Sequence, residues 1–238
     1  MSSRRPVPPM PIARSTSKER ARVRHRDAPR RVPRALRERQ MIDAAAGLFA
    51  ERGYHAVSMD AIAQAAGVSK PMVYAYFESK EGLFLACVER ATEHLIEGVE
   101  QATPPHLPND ERMWRGLLAV FTFIEEHREA WALLYPDGPP SGGPFFAGAH
   151  RASEAMAALL TRLLRDAAVA SGVDPDVAEE ETEPIARALV AAVEGLGSWW
   201  VRNPTAPKEL QALRLMNLIW MGLGNTVRGN LWLPPAPA

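Results

Sequence analysis

The stretch from Ser58 to Lys80 constrains this chain more than any other, because it sets two short helical patterns on either side of a single glycine. Ser58 can accept a hydrogen bond from the free amides of a first helical turn, and Asp60 suits the positive helix end. Ile62, Ala65 and Ala66 recur at helical spacing and make one small apolar face. Gly67 supplies the left-handed residue that ends such a helix, and Val68 falls between the two helices as a plug. Ser69 caps the next helix and Pro71 sits early in it, where a missing amide costs little. Val73 and Phe77, four apart, face inward, which leaves Lys70, Met72, Tyr74 and Tyr76 for other faces. Ser79 caps a third helix that opens Lys80-Glu81-Gly82-Leu83-Phe84. Two short helices joined by a glycine turn predict a helix-turn-helix, whose second helix enters a DNA major groove.

An ordinary helical hairpin in a bundle has no use for Lys70, Tyr74, Tyr76 and Lys80 around one short helix. All four are capable of phosphate contacts, as are helix N-termini. The run Gly67-Val-Ser-Lys-Pro-Met-Val-Tyr-Ala-Tyr-Phe-Glu-Ser-Lys-Glu-Gly-Leu-Phe84 resembles the signature of the TetR family of bacterial transcriptional regulators. Upstream, Ile42-Asp-Ala-Ala-Ala-Gly-Leu-Phe-Ala-Glu-Arg-Gly-Tyr54 is similar to the first helix of that family. The match covers about residues 38–88. The resemblance implies a three-helix DNA-binding unit, a separate ligand-binding domain and a homodimer. Many members carry a Tyr or His pair where this chain has Ala75-Tyr76, and Tyr76 keeps the hydroxyl. By this resemblance Lys70 and Met72 face base edges, where Met72 can touch a thymine methyl. Tyr74, Tyr76 and Lys80 are expected on phosphates, with Ser58 and Ser69 helping through helix N-termini, and Pro71 fixes the helix start.

Formal net charge is zero, yet residues 1–40 hold thirteen Lys or Arg against three acids, and the remainder holds fifteen against twenty-five. A basic arm beside an acidic body orients the chain on a polyanion. Residues 1–33 are rich in Pro, Arg and Ser and bury too little to order themselves, so a disordered arm is expected. Arg30, Arg31 and Arg34 are its candidates for phosphate or minor-groove contact, against the alternative of a solvated tail. Residues 34–80 then form the DNA-binding domain and residues 81–232 a helical ligand-binding and dimerisation domain. The fold class is all-α, with about nine helices.

In the larger domain, Trp114, Leu117, Leu118, Phe121 and Ile124 recur at helical spacing, and Trp131, Leu134 and Tyr135 form a short apolar segment. Trp114, Phe121, Trp131, Tyr135 and Trp199 are candidates for lining an effector cavity, although such a stripe serves equally as core. Few ionisable groups fall among them, which favours a small, mainly hydrophobic effector. Pro184 is expected to restart or kink a helix. Residues 185–201 and 208–227 are apolar on more than one face. Leu189, Val193, Leu196 and Trp200 make one stripe, with Leu213, Trp220, Leu223 and Val227 on the second helix. One face on its own domain and one on a second copy accounts for this, as does a large monomeric core. With the family resemblance, a four-helix dimer interface is the expectation, and a dimer predicts a near-palindromic operator in double-stranded DNA.

Other classes have little support in the sequence. The six histidines are scattered, and neither His-Glu-x-x-His nor a Gly-rich phosphate loop occurs, so neither catalysis nor a cofactor or metal is expected. One cysteine, Cys87, leaves no internal disulfide framework. No apolar run reaches membrane-spanning length, and the basic start lacks the apolar core of a secretory signal. The simplest location is the cytoplasm. The remaining alternatives are a constitutive DNA-binding protein and an activator without ligand control.

Overall fold

The computed structural model describes residues 33–135 and 144–227, and among these every regular element is an α-helix. They are α1 (Arg34–Arg52), α2 (Met59–Ala65), α3 (Lys70–Phe77), α4 (Lys80–Ala102) and α5 (Asn109–Glu126), followed by α6 (Arg128–Leu134), α7 (Pro144–Ala170), α8 (Pro175–Arg202) and α9 (Lys208–Val227). The chain divides into two compact units at Arg37 and Glu38, and the second holds the rest of α1 and all later helices. Of the first unit, the described part is Pro33 and the opening turn of α1, so Arg30 and Arg31 lie outside the described residues.

α1 buries Met41, Ala45 and Phe49, four apart and on one face, while Ile42 and Ala46 pack at the edge of the core. Ile62, Val73, Leu83 and Phe84 close that small core, each fully buried. The 23-residue α4 joins both parts: its first half seats Leu83, Phe84 and Cys87 here, and its second half buries Leu95 and Val99 in the larger bundle. There α5 lies between α4 and α9, α7 lies against α4, and α8 runs along α7.

α8 is one continuous helix with Pro184 inside it, where the sequence predicts a restart or kink. The proline removes the amide that would bond the Glu180 carbonyl. Both residues are exposed, so water can take the freed carbonyl. Gly197 of α8 is a close-approach position: a Cβ there would lie 2.6 Å from Trp131 Cζ2 and 2.8 Å from Ile124 Cδ1. Among the described residues no helix is long and apolar enough to cross a membrane.

Candidate functional site

The DNA-reading unit is set by local chemistry. Ser58 caps α2, its hydroxyl accepting from the Ala61 amide at 3.1 Å. Gly67 takes φ +64, and the Val68 amide returns to the Ala63 carbonyl at 2.9 Å, which closes the helix as predicted for glycine after a C-terminus. Ser69 adopts the extended cap conformation without a side-chain cap bond, and the Met72 amide bonds its carbonyl at 2.9 Å. Val73 and Phe77 point inward, so Pro71 and Tyr74 are exposed and Met72 and Tyr76 half-buried on the outer faces of α3. Lys70 does not stand free on that surface. Its Nζ donates to Asp60 Oδ2 at 2.8 Å, tying α3 to α2. That bond raises the lysine pKa.

The joint between α3 and α4 is a tight turn. Glu78 takes φ +61 and ψ −41, and the Ser79 amide bonds the Phe77 carbonyl at 2.5 Å, a γ-turn of the strained kind. Ser79 caps α4, accepting from the Gly82 amide at 2.9 Å. A Cβ on Gly82 would stand 2.4 Å from the Phe77 carbonyl oxygen, so the joint requires glycine there. Lys80, the first residue of α4, lies 4.3 Å from the centroid of the Tyr54 ring and reaches the His55 carbonyl at 3.5 Å. Tyr54 packs in turn on Phe49 and Phe84. Arg34 is exposed at the start of α1.

The larger bundle encloses a cavity of about 500 Å³ bounded by α4 to α9. Leu95, Val99, Leu117, Val120, Leu163, Leu189, Val193 and Ile219 supply much of its apolar wall. Of the five aromatic residues expected there, Trp131 and Tyr135 line it. Phe121 is instead fully buried core, 5.7 Å from Trp200 between ring centroids. Trp199 is 41% exposed on the surface, and Trp114 packs at the edge of the core without reaching the cavity wall.

The stripe expected to face a second copy divides similarly. Leu189, Val193 and Trp220 line the cavity, while Trp200 is 2% exposed and donates its indole N–H to the Ala206 carbonyl. Leu196 packs on the core, Leu213 is 47% exposed, and the side chains of Leu223 and Val227 lie outside the described residues. Leu218, at 72% exposure, and Leu210 continue the exposed apolar face of α9.

Three charged residues line the cavity, Glu181 at its rim and Arg112 and Glu194 on its wall, and a reading by aromatic content misses them. Arg112 lines it with a buried Nε that has no hydrogen-bond partner, and no described acid lies within ion-pair distance of its guanidinium. Glu194 lines it too, accepting from Ser153 Oγ at 2.6 Å and from the Tyr135 hydroxyl. Burial raises the pKa of Glu194, and burial with the nearby carboxyl raises that of Tyr135. The signal for both was a charge on an apolar stripe: Arg112, Gly116 and Val120 are four apart, as are Val190 and Glu194. The rim beside Arg112 is exposed at Asn109, Ser171, Val177 and Glu181, and Asn109 Nδ2 reaches Ser171 Oγ at 3.3 Å across it.

Among the described residues no group of His, Cys, Asp or Glu is arranged to hold a metal. Cys87 is buried, and desolvation pushes its thiol up to about 12.

Comparison with known proteins agrees with this architecture. Residues 41–87 match the family described as bacterial regulatory proteins, tetR family, and residues 109–222 match the tetracyclin repressor-like C-terminal domain. The HTH-type transcriptional activator FasR of Mycolicibacterium smegmatis is 32% identical over 197 residues, 82% of this chain and 86% of that protein. The crystal structure of a TetR-like transcriptional regulator from Rhodococcus sp. RHA1 is 34% identical with a TM-score of 0.63, covering 82% of this chain and 99% of that one. The fold also matches FadR of Bacillus subtilis, solved in complex with stearoyl-CoA, with a TM-score of 0.65 at 19% identity over 76% of this chain and 96% of that one. With a helix-turn-helix at one end of α4, a helical bundle around its other end, and a relative matched over most of both chains, this protein is a transcriptional regulator of the TetR family.

Proposed function

We propose that this chain acts in the cytoplasm as a homodimer that reads a near-palindromic operator in double-stranded DNA through α3 and lets go when a small, mainly apolar effector with an anionic head occupies the cavity. The observation that carries the effector reading is the buried, unpartnered Nε of Arg112 on the wall of a mainly apolar space of about 500 Å³. A buried N–H donor without a partner is costly, and an acidic head group supplies the missing acceptor. The exposed Trp199, Leu213 and Leu218 support association through α8 and α9, which would set two α3 helices on one face of the duplex.

On DNA, Met72 and the outer face of α3 meet base edges, with Tyr74, Tyr76 and Lys80 on the phosphates and Ser58, Ser69, Pro71 and Arg34 flanking them. Lys70 exchanges Asp60 for the operator. The effector acts only by binding the released conformation better than the DNA-bound one. Its route is α4, whose ends contact the two sites.

Duplexes selected from a random pool, then titrated with hexadecanoic acid, test this reading. The expected result is a near-palindrome bound by two chains and released by the acid, with Arg112→Met needing more acid for release. A selected site without two-fold symmetry removes the dimer, and binding indifferent to every apolar acid removes the effector. A second reading, activation of transcription by the bound dimer, is favoured by the relative FasR, itself named an activator. Transcription from a promoter carrying the selected site distinguishes the two by its sign.

A further inference from the structure

One corner of the cavity holds polar groups that an anionic head at Arg112 leaves unused. Trp131 is 2% exposed and lines the cavity, and its indole Nε1 is buried without a hydrogen-bond partner. Native proteins keep few such donors, and each calls for an explanation. The indole is held in place from one side by Gly197, where any Cβ would collide with it, and from another by Tyr135, whose ring centroid is 4.4 Å away. Three residues before Gly197, on the same face of α8, stands Glu194. Its carboxyl accepts from Ser153 and Tyr135, and no described cation pairs with it. A carboxylate offers about four acceptor positions, so capacity remains. The corner thus presents an unmet N–H donor and a carboxyl acceptor on an apolar wall.

We infer that this corner is a second subsite of the cavity, and that it takes a hydroxyl of the effector, which accepts from Trp131 Nε1 and donates to the Glu194 carboxylate. A bare hydrocarbon end would satisfy neither group. A second carboxylate would be repelled by Glu194, and an ammonium would leave the indole unmet. The subsite also fixes where the hydroxyl lies. Gly197 and Trp131 meet beside Ile124, and Ile124 is twelve residues beyond Arg112 on α5, about 18 Å along the helix axis. The hydroxyl is therefore at the far end of the apolar chain from the acidic head. This inference rests on the effector reading above.

Calorimetric titration of the full-length protein with hexadecanoic acid, its omega-hydroxy derivative and its beta-hydroxy derivative tests it. The omega-hydroxy acid is expected to bind about tenfold more tightly than the other two, the factor that one net hydrogen bond contributes. In Trp131→Phe and in Glu194→Leu the ratio of omega-hydroxy to plain affinity falls towards one, whereas Arg112→Met weakens all three acids and keeps the ratio. Equal affinity for the plain and omega-hydroxy acids in the unmodified protein overturns the subsite while leaving the effector reading intact. So does a ratio that survives both substitutions. A beta-hydroxy acid bound as tightly as the omega form overturns its placement. If the unmodified protein binds none of the three, the effector reading falls and the subsite with it.

Discussion

α3 turns its working side chains outward from a small, filled core, whereas α5, α6 and α8 turn theirs inward onto unfilled space. In the first region Val73 and Phe77 are spent on packing, and what remains outside is the functional surface. In the second, the same apolar residues build the core and the cavity wall, and charges that the core did not need, Arg112 and Glu194 among them, stand on that wall. One surface follows from eight consecutive residues. The other draws on six helices separated by up to about a hundred positions.

Two glycines separate the regions experimentally and should give the largest effects. Gly82→Ala pushes a Cβ into the Phe77 carbonyl. It should cost about 1–3 kcal/mol in urea unfolding and abolish operator binding, with calorimetric ligand binding retained. Gly197→Ala forces Trp131 and Ile124 aside. It should cost a comparable amount, about 1–3 kcal/mol, and weaken ligand binding while the operator affinity of the ligand-free protein holds. A variant that lost both functions would show that the regions are one cooperative unit.

Removing a cap should do less. Ser79→Ala deletes the bond to the Gly82 amide and should cost about 1 kcal/mol, with Ser58→Ala similar. Both should lower DNA affinity before they alter ligand affinity, as read by gel shift and calorimetry side by side. The smallest expected effect lies in the cavity. The pKa of Glu194 is raised in the folded protein above its ordinary 4.5. Its contribution is therefore fully present below pH 4.5 and lost as pH rises through the folded value. Glu194→Gln should flatten the fall of Tm with pH in that window, and an unchanged slope would mean that burial does not strain this carboxyl.

The DNA-reading unit was legible in the sequence because its signals are local. Ser58, Gly67, Ser69 and Ser79 each announce a helix end within four residues, and each is found at one. Lys70 was legible as a surface cation but not as the partner of Asp60, ten residues away on another helix. The cavity was legible only in kind. Aromatic residues at helical spacing mark burial without saying whether they meet other side chains or empty space, so Phe121 and Trp131 look alike in sequence and differ in the structure. Trp200 shows the same limit: the stripe on α8 marks a buried residue without naming what covers it, and within this chain Trp200 is buried against Phe121. Pro184 marks no helix boundary, because its exposed side of α8 leaves the Glu180 carbonyl open to water, so of the restart or kink expected there the restart does not occur.

Cys87 carries a practical consequence. It is the chain's single cysteine, its Sγ lies 3.5 Å from the Ile42 carbonyl where α1 meets α4, and its thiol is held near 12. An alkylating reagent meets almost no thiolate until those two helices separate. Its rate of labelling therefore counts openings of the seam beneath the recognition helix, one residue at a time and with no engineered probe, and operator or effector added to the tube would be read as a change in that clock.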